Sequence, residues 1–173
     1  MAEGPVNDAP CRLFDDVSFG DDVFVGPFTN LYGCRIGSQS RIGPFVEIQR
    51  GARVGDYCKV QSHTFICDGV VLEDRVFVGH GVMFVNDKRP RSTRADGEMQ
   101  TAADWELLET VVESDASVGS GAVIVGGVRI GSGALVGAGA VVTHDIPPGE
   151  TVAGIPARPL EAGSGRSTAH PKV

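Results

Sequence analysis

From Ile36 to Phe84 every sixth residue is large and apolar: Ile36, Ile42, Ile48, Val54, Val60, Ile66, Leu72, Val78 and Phe84. The beat appears earlier at Leu13, Phe19, Val25 and Leu31, and returns at Val112, Val118, Ile124, Ile130, Val136 and Val142. A second beat lies four residues after the first, at Ser40, Val46, Ala52, Cys58, Thr64, Val70, Val76 and Val82, then at Ala116, Ala122, Val128, Ala134 and Ala140. Six steps carry an α-helix roughly 240° beyond a full turn and scatter these residues around it. Strands keep residues an even number apart on one face. The pattern therefore predicts a parallel β-solenoid of short strands, with a corner after each six-residue rung.

Two departures from the beat mark the organisation. Between Leu31 and Ile36 the spacing falls to five, which trims one rung. From about 85 to 111 the repeat vanishes, a stretch too long for a corner and of the kind that is usually functional. Trp105, the only tryptophan, predicts that this loop is anchored. We read residues 1–160 as one domain with that loop inserted. Residues 143–160 read as an extended return segment, and 161–173 as a flexible tail.

Composition narrows the classes of function. A net charge of -7 argues against general nucleic-acid binding. No charged-then-apolar leader opens the chain and no 18-residue apolar run occurs, so neither secretion nor membrane insertion is expected. The four cysteines, at 11, 34, 58 and 67, form no C-x-x-C pair, and Cys58 falls on an inward beat. They predict reduced structural thiols and a cytoplasmic protein. A solenoid also has raw sheet ends and edges, so self-association is expected.

The phrases Ile36-Gly37, Ile42-Gly43, Val54-Gly55, Val118-Gly119, Ile130-Gly131 and Val136-Gly137, with the closing run Val152-Ala153-Gly154-Ile155-Pro156-Ala157-Arg158, resemble the hexapeptide-repeat acyltransferases. More narrowly, Glu73-Asp74, Val76-Phe77-Val78-Gly79, Phe84-Val85-Asn86-Asp87 and Pro90-Arg91 are similar to N-acetyltransferases acting on 3-amino nucleotide sugars. The resemblance implies an all-β, left-handed parallel β-helix of three rungs and 18 residues per coil, assembled as a homotrimer with active sites between subunits. The hand comes from the resemblance alone, since parallel crossovers are ordinarily right-handed. It further implies acetyl-CoA as acyl donor, a nucleotide-linked amino sugar as acceptor, and no metal.

Coils of 18 residues stack Ser62 under His80, with His63 in the neighbouring column, and Asp68 under Asn86. His80 reads either as a solvated turn residue or as a base facing the acceptor, a task suited to its ordinary pKa. His63 and Ser62 are candidate substrate contacts; for His63 a structural hydrogen bond is the competing reading. By family match, Asn86 touches the sugar's amino group and orients it; otherwise it caps the loop. Asp87 binds a sugar hydroxyl or balances Lys88 and Arg89. Arg91 is the preferred member of the group Lys88, Arg89, Arg91 and Arg94 for gripping a diphosphate. Small outer residues such as Gly126 and Gly127 allow an extended pantetheine arm close to the backbone. The resemblance adds Ala138, Ile155 and Pro156 along that arm, and Arg158 at the phosphates of coenzyme A.

Two rivals fit the same solenoid. A sugar or small-alcohol O-acetyltransferase would need His80 as general base, because a hydroxyl requires proton removal more than an amine does. The γ-class carbonic anhydrases share the architecture but need three histidines around zinc, and the third ligand is missing here.

Overall fold

The structure is a computed structural model and describes residues 12–13 and 16–160; the 161–173 tail and Cys11 lie outside them. The chain forms a left-handed parallel β-helix of about seven turns. Its strands, from Arg12–Leu13 to Arg158–Pro159, are two or three residues long and build three sheets of seven, six and eight strands. The first face carries Glu47–Ile48, Phe65–Ile66, Met83–Phe84 and Val123–Ile124. The second carries Arg35–Ile36, Arg53–Val54, Val70–Leu72 and Thr110–Val112, and the third Lys59–Val60, Phe77–Val78, Ser117–Val118 and Leu135–Val136.

Alternation does the packing. In Arg53–Val54 or Phe77–Val78 the first residue faces solvent and the second is buried. The hexad positions from Ile36 to Phe84 are at most 2% exposed. Each such burial contributes about 1.5–3 kcal/mol, so the interior column carries most of the stability. The polar residues on the inward beat are satisfied. Ser40 Oγ donates to the Gly55 carbonyl at 2.8 Å and accepts the Cys58 N–H at 2.9 Å, and Thr64 Oγ1 donates to the Gly79 carbonyl at 3.0 Å.

Register records each irregularity. Pairs such as Phe65↔Glu47 and Ile66↔Ile48 stand 18 apart. Across the trimmed rung Ser18 faces Arg35, one residue fewer. Beyond the insertion Val70 faces Thr110, a step of 40 in place of 18, so one coil holds 22 extra residues. Parallel winding also continues past Val142. Buried Ile146 bridges to Ile130, and Thr151–Ala153 pairs with Leu135–Val136. The return segment is therefore part of the solenoid, and its shortened spacing hid it from the six-residue beat. Among the described strands of the three sheets, only Arg158–Pro159 runs antiparallel.

The inserted loop has structure of its own. Thr93 and Met99 pair antiparallel. A 3-10 turn, Ala102–Asp104, follows, where Thr101 and Asp104 cap each other and Arg94 approaches Asp104 at 3.7 Å. Capping by Thr101 and the Arg94 side chain lowers the Asp104 pKa. The loop's return leg is tied down at two corners. Leu107 covers Gly69, where a Cβ would stand 3.1 Å from it, and Leu108 covers Gly127. Both glycines have positive φ, so the corners supply open surface that a side chain would fill.

Candidate active site

Two edges of the prism frame the first face. At the edge shared with the third face, His80 stands between Ser62 below and Ser120 above. Ser62 Oγ and His80 Nδ1 are 2.9 Å apart, and the His80 N–H donates to Ser120 Oγ at 3.1 Å. The preceding Gly79 makes this possible, because a Cβ there would fall 2.5 Å from the Ser120 nitrogen. The bond to Ser62 holds the ring by Nδ1, and His80 is exposed, so Nε2 is the nitrogen free to meet a ligand.

His63 occupies the next column of the same edge. It continues a stack of rings through Phe45 and Phe28, with centroids 4.9 and 5.1 Å apart. All three have positive φ. Above His63 the column becomes Gly81, Gly121 and Gly139, at each of which a Cβ would meet nothing within 4 Å. That bare strip runs upward past exposed Ala138 to Gly154, Ile155 and Pro156, since Leu135 and Val136 pair with Thr151 and Val152. The ring stack leaves no trace in the repeat, because Phe28 and Phe45 fall on neither apolar beat.

Asn86 belongs to the opposite edge, between the first and second faces. Its Nδ2 donates to the Asp68 carbonyl at 3.1 Å. Gly126 lies above it, so close that a Cβ would come within 2.7 Å of the Val85 carbonyl oxygen. Gly126 is thus packed against the loop's root, and its edge differs from that of Ala138. Six residues along a rung separate His80 from Asn86, roughly 20 Å of extended chain at about 3.3 Å per residue. The two stand at opposite corners of the first face within one protomer. The face between them is apolar, with Met83 and Val85 exposed and Phe65, Val123, Val125 and Val141 half-buried.

Asp87 Oδ1 accepts the Arg89 N–H at 2.7 Å, which closes a local turn. Arg91 is exposed and has no hydrogen bond or ion pair among the described residues. Arg158 Nη1 donates to the Ala157 carbonyl beside it. Beneath the loop lies a cleft of about 290 Å3 lined by Asp87, Lys88, Arg89, Gln100, Trp105 and Glu106, with Asp104 and Leu108. The cationic run pointed to this region, but Arg91 does not line the cleft, whereas Lys88 and Arg89 do. Cys34, Cys58 and Cys67 are buried free thiols. Burial pushes the Cys34 and Cys67 thiols up to about 11 and raises Cys58, which makes none of them a nucleophile. Among the described residues no group of three His, Cys, Asp or Glu side chains is arranged to hold a metal, and no helix is long and apolar enough to cross a membrane.

A parallel β-helix of six-residue rungs is the architecture of the hexapeptide-repeat proteins. The repeats of this chain are those of a known family: the bacterial transferase hexapeptide model (six repeats) matches residues 33–68 and 109–144. Among curated relatives, the bifunctional protein GlmU of Thermotoga maritima is 39% identical over 129 residues, 74% of this chain and 25% of that one. The chain spans about a quarter to a third of the length of such relatives. Among solved structures, PerB from Caulobacter crescentus, a GDP-perosamine N-acetyl transferase bound to CoA and GDP-perosamine, superposes with a TM-score of 0.64 at 21% identity, over 80% of this chain and 58% of that one. A variant of AntD, an N-acyltransferase from Bacillus cereus in complex with dTDP and coenzyme A, gives 0.72 at 18% identity, over 83% and 82%. At these identities the likeness is one of fold.

Proposed function

We propose that the protein transfers an acetyl group from acetyl-CoA to the amino group of a nucleotide-linked sugar, a UDP- or dTDP-linked 3-amino sugar. The observation that carries this reading is the edge that runs from Ser62 and His80 to Pro156. A polar, ring-backed lower half meets an upper half stripped to glycine, alanine and backbone. An extended pantetheine arm fits such a strip, where main-chain N–H and C=O groups stay within reach of its amides. Ala138, Ile155 and Pro156 would border the arm, and Arg158 would meet the donor's phosphates. The names of PerB and AntD, with CoA and GDP-perosamine in the one complex and coenzyme A and dTDP in the other, support the same donor and acceptor classes.

The chemistry asks little of the protein. The neutral amine attacks the thioester carbonyl, forming a C–N bond and a tetrahedral oxyanion, which a backbone N–H of a later coil stabilises. The C–S bond breaks, coenzyme A departs as thiolate, and the amine's surplus proton passes to His80 Nε2 or to the departing sulfur. Asn86 Oδ1 accepts a hydrogen bond from the amine and aims its lone pair. For His80 and Asn86 to serve one acceptor, the His80 edge of one copy must meet the Asn86 edge of another. The apolar first face suits that packing, and a homotrimer satisfies it with three equivalent sites.

The Ser62–His80 bond also favours a second reading, an O-acetyltransferase, because a histidine held by Nδ1 is ready to act as a base through Nε2. A thiol-release assay with acetyl-CoA against UDP-, dTDP- and GDP-linked amino sugars and their hydroxyl counterparts decides. Turnover with an amino sugar is expected. Turnover only with the corresponding hydroxyl sugars would replace the amine reading, and none with any acceptor would sink both.

A further inference from the structure

The loop cleft combines features that neither a corner nor a solvated loop requires. The sole tryptophan of the chain stands half-buried in its wall instead of in the core. Two cations, Lys88 and Arg89, line it, and neither side chain has a hydrogen bond or ion pair among the described residues. Arg94, the cation of this run turned inward on the loop, is neutralised by Asp96 and Asp104. Arg35 and Arg53 also stand side by side on the outer surface without ion pairs among the described residues, so what sets the loop cleft apart is that its two unpaired cations share it with an indole ring.

The other lining groups divide by what they already do. Asp87 is occupied with the Arg89 N–H, and Asp104 with Thr101. Gln100 and Glu106 have side chains with no partner among the described residues. An amide offers both donor and acceptor, and a free carboxylate accepts from paired hydroxyls. Lys88 Nζ lies over Gly127, 3.5 Å from where a Cβ would be, so the bare corner fixes the floor on which the ammonium rests. Leu107 and Leu108, pinned on Gly69 and Gly127, hold the wall that carries Trp105.

We infer that this cleft binds a nucleoside diphosphate, with the base against Trp105 and the diphosphate between Lys88 and Arg89. An indole face stacks a planar base of any identity, and adjacent ammonium and guanidinium groups meet phosphate oxygens in charge-assisted bonds. Gln100 reads the base edge and Glu106 accepts from the ribose. The volume of about 290 Å3 is that of a small-molecule site near the lower bound of roughly 300 Å3. This inference rests on the proposed function for its meaning, because the cleft begins one residue after Asn86 and a sugar on the terminal phosphate would emerge beside that amide. Two sources carry the same chemistry: the nucleotide of an activated sugar and the 3′-phospho-ADP portion of coenzyme A.

Trp105 is its own reporter. The protein is titrated with UDP, dTDP, GDP, 3′-phospho-ADP and inorganic diphosphate while tryptophan emission is followed. A nucleoside diphosphate is expected to quench saturably, and inorganic diphosphate to do so far less. The double variant Lys88→Gln, Arg89→Gln keeps the reporter and should raise the Kd about tenfold or more. Its far-UV circular dichroism and melting temperature should match those of the parent. Quenching by UDP, dTDP or GDP assigns the cleft to the acceptor, and quenching by 3′-phospho-ADP alone assigns it to the donor; both sustain the inference. No saturable change with any nucleotide, or a Kd untouched by the double variant, overturns it. Nucleotide binding without any acetyl transfer would leave this site standing and sink the proposed function. Acetylation of an amino sugar whose nucleotide leaves Trp105 unchanged would do the reverse.

Discussion

Asn86 and Asp68 meet through a hydrogen bond from the Asn86 side-chain amide to the Asp68 backbone carbonyl, 3.1 Å long. Because a carbonyl accepts and never donates, this bond fixes which end of the amide is which and turns Oδ1 outward as an acceptor. Asn86→Asp keeps the shape but replaces the donor by a carboxylate oxygen, which the Asp68 carbonyl repels. The side chain must swing away. We expect kcat to fall about 100-fold, the scale of loss from a misplaced positioning group, with the KM for acetyl-CoA unchanged. Steady-state kinetics checks this, and a variant within twofold of the parent would remove Asn86 from the reaction.

His80 is tied to Ser62 at 2.9 Å, and its substitution separates amine from hydroxyl acceptors. An amine is nucleophilic when neutral, so His80→Ala should cost less than about tenfold in kcat at pH 8. A hydroxyl acceptor would lose the full value of a general base, about 100-fold or more. Ser62→Ala is the companion variant. If the serine only orients the ring, its loss should be smaller than that of His80→Ala and should show mainly in kcat.

The solenoid was legible because one physical requirement, an inward side chain on every rung, repeats too often to be accidental. Ser40 and Thr64 did not disturb the reading, since their hydroxyls are satisfied by the next coil's backbone. The stacking of Ser62 under His80 and Asp68 under Asn86 follows from the 18-residue coil. Their separation onto two edges also follows from it, since a six-residue step along one rung separates His80 from Asn86. Ile146 escaped because its spacing from Ile130 is contracted. The loop cleft was hidden for a different reason. Trp105, Gln100 and Lys88 come together through an antiparallel turn and two leucine contacts with corner glycines, and none of these leaves a periodic trace.

Two kinds of corner glycine should respond differently to alanine. At Gly37 a Cβ would overlap the Gly55 carbonyl of the next coil, so the coils themselves must part. At Gly133 space is open, but φ is +66°. Gly133→Ala should cost about 1–2 kcal/mol, the left-handed penalty for a Cβ. Gly37→Ala should cost more, because backbone cannot yield as a side-chain tip does. Urea midpoints measured side by side would test the ranking, and equal costs would contradict the coil contact.

Alkaline pH should loosen the interior before it does anything else. Burial pushes the Cys34 and Cys67 thiols up to about 11 and raises Cys58, while burial and then Glu47 raise Tyr32. In each case the neutral form is preferred in the folded chain. A folded pKa above the unfolded value means that the stabilising contribution is complete below the unfolded pKa, near 9 for a thiol. It is lost as pH climbs through about 11. The melting temperature should therefore be level from pH 7 to 9 and fall steeply between 9 and 11. In the same range Cys34, Cys58 and Cys67 should react with a disulfide reagent only as fast as the protein opens, so that urea accelerates them and pH 8 alone does not. Rapid labelling of any of the three in the native protein at pH 8 would mean that these rungs are not sealed.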